Sequence, residues 1–350
     1  MHMADALLSP AVGMAMNAVC VAAIGLSVAK VKKDELSEKK VPIMGISGAL
    51  VFAAQMINFA IPATGSSGHI GGGILLAGLL GGFPAFLSIA AVLIIQCLFF
   101  ADGGLLALGS NIFNMGVIPC LIIYPLIFKP LLKGGADYRR LSAASILSAV
   151  AGLVLGSFCV VIETQLSGIT SLPFGTFAAL LLPIHLAIGL VEGIVTAAIL
   201  CFIFRMRPEL IEPANAGNRV ALVSTKRILV ALAALAIISG AILSLIASTQ
   251  PDGLEWAINK TADQAHNAET GLEAQTSVHA AAANVQENTS LLPDYAFASD
   301  PENAAGTSIS GIIGASATFA LAGAAGLIIS IAKKRKGAVS HGQKSPQTNV

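Results

Sequence analysis

Residues 174–204 read FGTFAALLLPIHLAIGLVEGIVTAAILCFIF. Only His185 and Glu192 in this stretch can carry a charge. A helix that is apolar on every face is buried in a large core or spans a membrane. About 20 such residues cross the hydrocarbon of a bilayer, and this run exceeds that length. The whole chain has the same character. Its 350 residues are 55% hydrophobic and 11% charged, with a mean hydropathy of +0.81. Soluble domains carry roughly 25% charged residues, so lipid is the solvent for most of this chain.

Working outward, six further apolar segments precede this one, at about 11–29, 42–62, 70–84, 85–101, 111–132 and 141–164. Two follow it, at about 228–248 and 310–332. The segment at 70–84 is short and Gly-rich. With the N-terminus placed outside, the inner segments are 30–41, 129–140, 205–227 and 333–350. They hold 5, 4, 5 and 5 Lys or Arg, nineteen of the chain's 20. Only Lys260 lies on the outer side, among nine carboxylates of the stretch 249–309. Basic residues mark cytoplasmic loops. The expected architecture is therefore an all-α integral membrane protein with nine spans, N-terminus outside and C-terminus inside. Residues 1–205 form a seven-helix bundle, 206–227 a cytoplasmic linker, 228–336 a two-helix hairpin with a polar outer insert, and 337–350 a disordered tail. The insert beyond residue 258 is poor in apolar residues and is expected to be partly disordered.

A cleaved leader begins with a basic region. Residues 1–10, MHMADALLSP, contain no Lys or Arg, so the first helix is expected to be retained. The net charge of +1 argues against a nucleic-acid partner. The five cysteines lie singly inside apolar runs and read as small buried hydrophobes rather than thiolate ligands. No Gly-x-x-x-x-Gly-Lys-(Ser/Thr) loop occurs, so this chain lacks that means of ATP hydrolysis. It also lacks His-Glu-x-x-His, the helical ligand pair of an intramembrane metalloprotease.

Chemistry concentrates near the outer face. His2 combines three nitrogens in one short segment: the Met1 amine, its own main-chain nitrogen and its imidazole Nδ1. Together they close fused five- and six-membered chelate rings. The plainer reading of a histidine at position two is a frayed terminus. Residues 63–69, ATGSSGH, form a polar non-helical stretch that ends in His69 at the outer end of a span. His69 would supply a fourth nitrogen, and a planar nitrogen set suits Ni(II) or Cu(II). Asp5 and Asp102 fall at outer ends, where either can accept an N–H from a ligating imidazole. Gln96, Asn111 and Asn114 are polar groups available to anchor the N-terminal segment or to join helices. His185 and Glu192, two turns apart on one helix face, read as an interhelical polar lock rather than a second metal site. His266, His279 and His341 lie in the polar insert or tail and read as solvated. A contrasting reading makes Glu163 and Glu192 the proton carriers of a secondary metal/proton transporter.

MHMADALLSP resembles the opening motif of the CbiM/NikM family, the substrate-capture membrane subunits of cobalt and nickel energy-coupling-factor transporters. Ala6 and Leu7 replace that motif's usual glycine and aromatic residue. Residues 64–69, TGSSGH, are similar to the family's Gly-Thr-Ser-Gly-His loop. Asp102-Gly103-Gly104-Leu105 and Asn111 to Gly116 resemble its third signature, and His185 through Glu192-Gly193 and Thr196 its last-helix motif. Pro251-Asp252-Gly253-Leu254-Glu255 is similar to the signature of the small CbiN/NikN subunit, so the chain looks like a fusion of the two. The resemblance implies Ni2+ or Co2+ as substrate, no organic cofactor, and metal held by Met1, His2 and His69. It implies Asp5, Ser66, Ser67, Gln96, Asp102, Asn111 and Asn114 as supporting residues. It further implies a CbiQ/NikQ-like coupling subunit and CbiO/NikO-like ATPases as partners, a hairpin that assists metal loading, and a prokaryotic inner-membrane location.

Overall fold

The computed structural model describes residues 1–33, 40–211, 222–264, 276–300 and 303–342. These are mostly helical. After a short turn at Asp5–Leu7, the helices in chain order are α1 (Pro10–Lys33), α2 (Lys40–Gln55), α3 (Gly73–Leu80), α4 (Gly82–Phe100), α5 (Leu108–Leu131), α6 (Tyr138–Ser167), α7 (Phe174–Met206), α8 (Thr225–Ala241), α9 (Gly253–Gln264), α10 (Ser277–Thr289) and α11 (Ala304–Gly342). Two three-residue strands, β1 (Phe59–Ile61) and β2 (Ser66–Gly68), pair antiparallel between α2 and α3. The non-helical stretch expected around His69 is thus the returning arm of a small β-hairpin.

Six helices among the described residues are long and apolar enough to cross a membrane: Pro10–Val31, Gly82–Phe100, Leu108–Leu131, Tyr138–Ser167, Phe174–Met206 and Ala304–Ala332. The other three expected spans correspond to shorter helices. α2 has 16 residues and α8 has 17. α3 has only 8, all buried, and at a rise of 1.5 Å per residue its length is about 12 Å. Its limits follow from backbone geometry. Gly72 precedes it at φ 77° and Gly81 follows it at φ 83°, a region that L side chains rarely adopt. Gly72 is crowded as well, since a Cβ there would lie 2.5 Å from Val51 Cγ1.

α6 and α7 lie along each other, and α11 packs against α2, α4 and α8. Most of α5, Phe113–Phe128, is wound as a wide π-type helix containing Pro119 and Pro125, residues that withhold the N–H an α-helix needs there. The large buried side chains include Phe52, Phe86, Phe100, Phe128, Phe177 and Phe204.

The insert of the second half folds back on the first. α9 packs on α7, and α10 on α4. The expectation of disorder beyond residue 258 therefore fails for the described parts: α9 and α10 are helices seated on the bundle. The composition misled because these helices rest on a surface supplied by residues 1–210: α9 buries Leu254, Ala257 and Ile258 there, and α10 buries only His279. Linker residues 212–221 and tail residues 343–350 lie outside the described residues. α11 continues through Gly342.

Candidate metal centre

The first residues of the chain thread into the bundle. Asn111 on α5 holds the Met3 backbone at both ends: Met3 N–H donates to Asn111 Oδ1 (2.7 Å), and Asn111 Nδ2 donates to the Met3 carbonyl (3.1 Å). The same carbonyl accepts from Gly104 N–H (2.9 Å). Asp5 Oδ1 accepts from Ala107 N–H (2.9 Å), and burial raises the pKa of its carboxyl. Asp5 therefore anchors the 102–107 turn rather than an imidazole of His2 or His69. Asn114 donates to Glu163 Oε2 (2.9 Å) and lies 3.9 Å from Met3 Sδ.

This threading delivers Met1 and His2 to His69. The Met1 nitrogen lies 3.4 Å from His69 Nε2, and the His2 and His69 rings stack with centroids 5.2 Å apart and an interplanar angle of 21°. Among the described residues no group of three His, Cys, Asp or Glu side chains is arranged to hold a metal. The Met1 nitrogen stands beside the two imidazoles as a further nitrogen donor.

The proton positions can be deduced. His69 Nδ1 faces the Ile70 carbonyl at 3.0 Å. A carbonyl only accepts, so Nδ1 carries the hydrogen and Nε2 turns its lone pair toward Met1. His2 follows from a longer chain. Gln55 Nε2 donates to the Gly71 carbonyl (2.8 Å), Gln96 Nε2 donates to Gln55 Oε1 (2.8 Å), and Gln96 Oε1 faces His2 Nε2 (3.2 Å). Gly71 thereby orients both amides, and His2 Nε2 must donate. The free lone pair of a neutral His2 is then on Nδ1, the nitrogen that closes the six-membered chelate ring. Burial lowers the pKa of both imidazoles, His69 to about 3, with the Met1 ammonium adding to the effect. Both rings are neutral near pH 7, the state a ligand requires.

In this structure His2 Nδ1 faces Asp102 Oδ1 at 3.3 Å. A lone pair and a carboxylate oxygen repel, and a cation between them would reverse the sign. Asp102 Oδ2 accepts from Tyr295 O–H at 2.5 Å, and this ring stacks on Phe100 with centroids 4.8 Å apart. The pKa of the Tyr295 hydroxyl rises well above its ordinary value, through burial first and the Asp102 charge second.

Several of these partners come from the second half of the chain. Asp252 Oδ2 pairs with the Met1 ammonium at 2.9 Å, which holds the Asp252 carboxyl well below the usual range against the opposing effect of burial. Ser67 N–H donates to the Pro251 carbonyl (2.8 Å) and Ser67 Oγ to the Gln250 carbonyl (2.7 Å). Ser66 Oγ shares a hydrogen bond with Thr64 Oγ1 (2.8 Å) and so shapes the turn before it. Gly253 must be small, because a Cβ there would lie 2.6 Å from Ile184 Cγ2 on α7. Gln286 on α10 donates to the Gly103 carbonyl (2.8 Å) and to the Cys97 carbonyl (3.1 Å). A cavity of about 710 Å³ opens between the two halves, and its walls include His2, His69, Asp102, Asp252, Glu255 and Asp294.

His279 corrects an expectation. It is buried, and its Nε2 donates to the Leu8 carbonyl (2.8 Å). His266 lies outside the described residues. The polar lock expected of His185 and Glu192 divides in two. His185 Nδ1 bonds the Leu181 carbonyl of its own helix (2.9 Å). Glu192 accepts from the N–H groups of Gly71 (2.6 Å) and Gly72 (3.0 Å). Asp252, His279, Gln286 and Tyr295 were not legible as site residues. Asp252 alone carried a signal, its place in the Pro-Asp-Gly-Leu-Glu motif.

Residues 2–210 match the family model described as the cobalt uptake substrate-specific transmembrane region, CbiM, and residues 226–331 match the PDGLE domain. A putative fused nickel transport protein NikMN of Archaeoglobus fulgidus is 32% identical over 329 residues, covering 92% of this chain and 96% of that one. A cobalt transport protein CbiM of Sorangium cellulosum is 31% identical over 176 residues, 49% of this chain and 76% of that one. A crystal structure of a truncated transition metal transporter is 29% identical with a TM-score of 0.52, covering 58% of this chain and 98% of that one. With its apolar helices and N-terminal motif, this chain is a multi-pass membrane protein that belongs to the CbiM family and carries a PDGLE domain behind the CbiM region.

Proposed function

We propose that this chain is the metal-capturing membrane subunit of an energy-coupling-factor importer for Ni2+ or Co2+. The metal is held by the Met1 amine, the main-chain nitrogen and Nδ1 of His2, and Nε2 of His69. The observation that carries this reading is the 3.4 Å approach of the Met1 nitrogen to His69 Nε2, with the lone pairs of both imidazoles preset by the Ile70 carbonyl and the Gly71–Gln55–Gln96 chain. Four nitrogens in a plane favour Ni2+.

Metal enters from outside through the acidic cavity between the halves. Its arrival displaces Asp102 from His2 Nδ1 and Asp252 from the Met1 amine, which loses its protons on ligation. The hairpin assists loading by presenting Asp252 and Tyr295 at this point. The basic segments stay inside in a nine-pass arrangement, where α3 and the residues directly before it, from Ile70 on, contribute the third pass. A separate coupling subunit and cytoplasmic ATPases drive delivery to the cytoplasm of a prokaryotic cell.

The test is to add one residue before Met1 and to titrate Ni2+ into the purified protein. The extension moves the amine out of the chelate, so affinity and the ligand-field absorption should both change; an unaltered titration and spectrum would remove the terminal-amine chelate. Uptake into vesicles by this chain alone, without ATPases, would favour a secondary metal/proton transporter instead.

A further inference from the structure

The ligands of the proposed chelate are fastened to different parts of the bundle. Met1 and His2 are carried by the N-terminal segment, which Asn111 and the Gly104 and Ala107 amides tie to α5 and the turn before it. His69 is carried by the loop between β2 and α3. Two residues beyond His69, the N–H groups of Gly71 and Gly72 both point at one carboxylate, that of Glu192 on α7. Glu192 is 1% exposed and takes these N–H groups one on each oxygen, at 2.6 and 3.0 Å.

A carboxylate in an apolar interior is costly unless its oxygens are hydrogen-bonded. Here the pairing is with backbone, which no rotamer change can withdraw. The carboxylate meets the loop where its backbone turns into α3: Gly72 stands at φ 77° and α3 begins at Gly73. The Gly71 carbonyl, in turn, orients Gln55, Gln96 and His2. One residue on α7 therefore sets the place of the Gly71 peptide, and through it the lie of His69.

We infer that Glu192 is a positioning residue for metal capture, holding the His69 loop to α7 so that Nε2 meets the nitrogens carried by α5. The inference rests on the proposed role of His69 as a metal ligand. It follows that the chelate spans two anchors, α5 and α7, and that a change in their spacing withdraws His69 from the metal while the Met1–His2 part stays whole. Glu192 is thus engaged in a clamp, with each of its oxygens taken by a backbone N–H.

The experiment is a titration of Ni2+ into the purified full-length chain, followed by calorimetry and by ligand-field absorption. Wild type, Glu192→Gln, His69→Ala and the double variant are compared. Glutamine keeps the shape but sets an NH2 against one of the two N–H donors. It should lower affinity roughly 10- to 100-fold, the usual effect of removing a residue that orients a ligand. Its spectrum should move toward that of His69→Ala. The double variant should bind only slightly more weakly than His69→Ala, because Glu192 acts chiefly through His69 and reaches His2 only at the end of the Gly71–Gln55–Gln96 chain. Glu192→Asp, shorter by one methylene and able to keep one bond, should fall between.

Wild-type binding by Glu192→Gln, alongside weakened binding by His69→Ala, would overturn the inference and leave the metal site standing. Full additivity in the double variant would overturn it too. Unchanged binding by His69→Ala would remove His69 as a ligand, and this inference with it. Failure of both Glu192 variants to fold would place the carboxylate in the fold at large and also count against it.

Discussion

A single carbonyl sets the tautomer of His69. Ile70 fixes the hydrogen on Nδ1, and burial lowers the pKa to about 3. A base with a folded pKa below its ordinary 6.5 binds fewer protons folded than unfolded across that interval, so stability falls as the pH falls. The metal-free protein should have its full share of this stability above pH 6.5 and lose it progressively toward pH 3. Thermal melting of the metal-free chain over this range checks the expectation, and His69→Gln should flatten the dependence. A steady melting temperature down to pH 4 in the wild type would contradict it. His69 stood out in the sequence as a candidate, since a histidine ending a polar stretch among apolar spans is conspicuous. Its tautomer did not, because it depends on which carbonyl the ring meets.

At the scale of elements, the N-terminal segment behaves as a ligand of α5. Met3 is fully buried and its backbone is cradled by one side chain. Asn111→Ala leaves the Met3 N–H without a partner, a cost of about 1–3 kcal/mol for a buried donor. The segment can lift away from the bundle to regain water, so the loss should appear in metal affinity, about 5- to 150-fold, with a smaller change in melting temperature. Titration and melting of the same variant separate the two; equal affinity to wild type would refute the cradle. Length and composition revealed α4, α5, α6, α7 and α11 as apolar helices. They did not reveal that 70–84 holds an eight-residue helix between two glycines of positive φ, because hydropathy counts apolar residues and is blind to φ.

At the scale of the molecule, the second half completes the outer face of the first. The Asp252–Met1 pair crosses between them. Removing one partner of a buried ion pair leaves a charge without compensation, costing up to about 3 kcal/mol, less here because Asp252 is 24% exposed. Asp252→Ala should therefore destabilise the metal-free protein. With Ni2+ bound the amine is neutral and ligated, so the same variant should cost less. Melting in detergent with and without Ni2+ measures the difference, and equal losses in both states would mean that Asp252 serves only the fold. Tyr295→Phe should release Asp102 and change the Ni2+ titration without this dependence on the loaded state.

By itself the sequence determined the membrane class, the family and the presence of a PDGLE region behind the CbiM region, and it singled out His2 and His69 as candidates. Those features reside in composition and in short motifs, which survive without any knowledge of contacts. The tertiary structure alone decided that Asp252 faces the amine, that His279 is buried against Leu8, and that Glu192 clamps the His69 loop instead of meeting His185. Each joins residues more than a hundred positions apart. A polar side chain in an apolar run announces that it needs a partner, and only the packing of the helices says which one it finds.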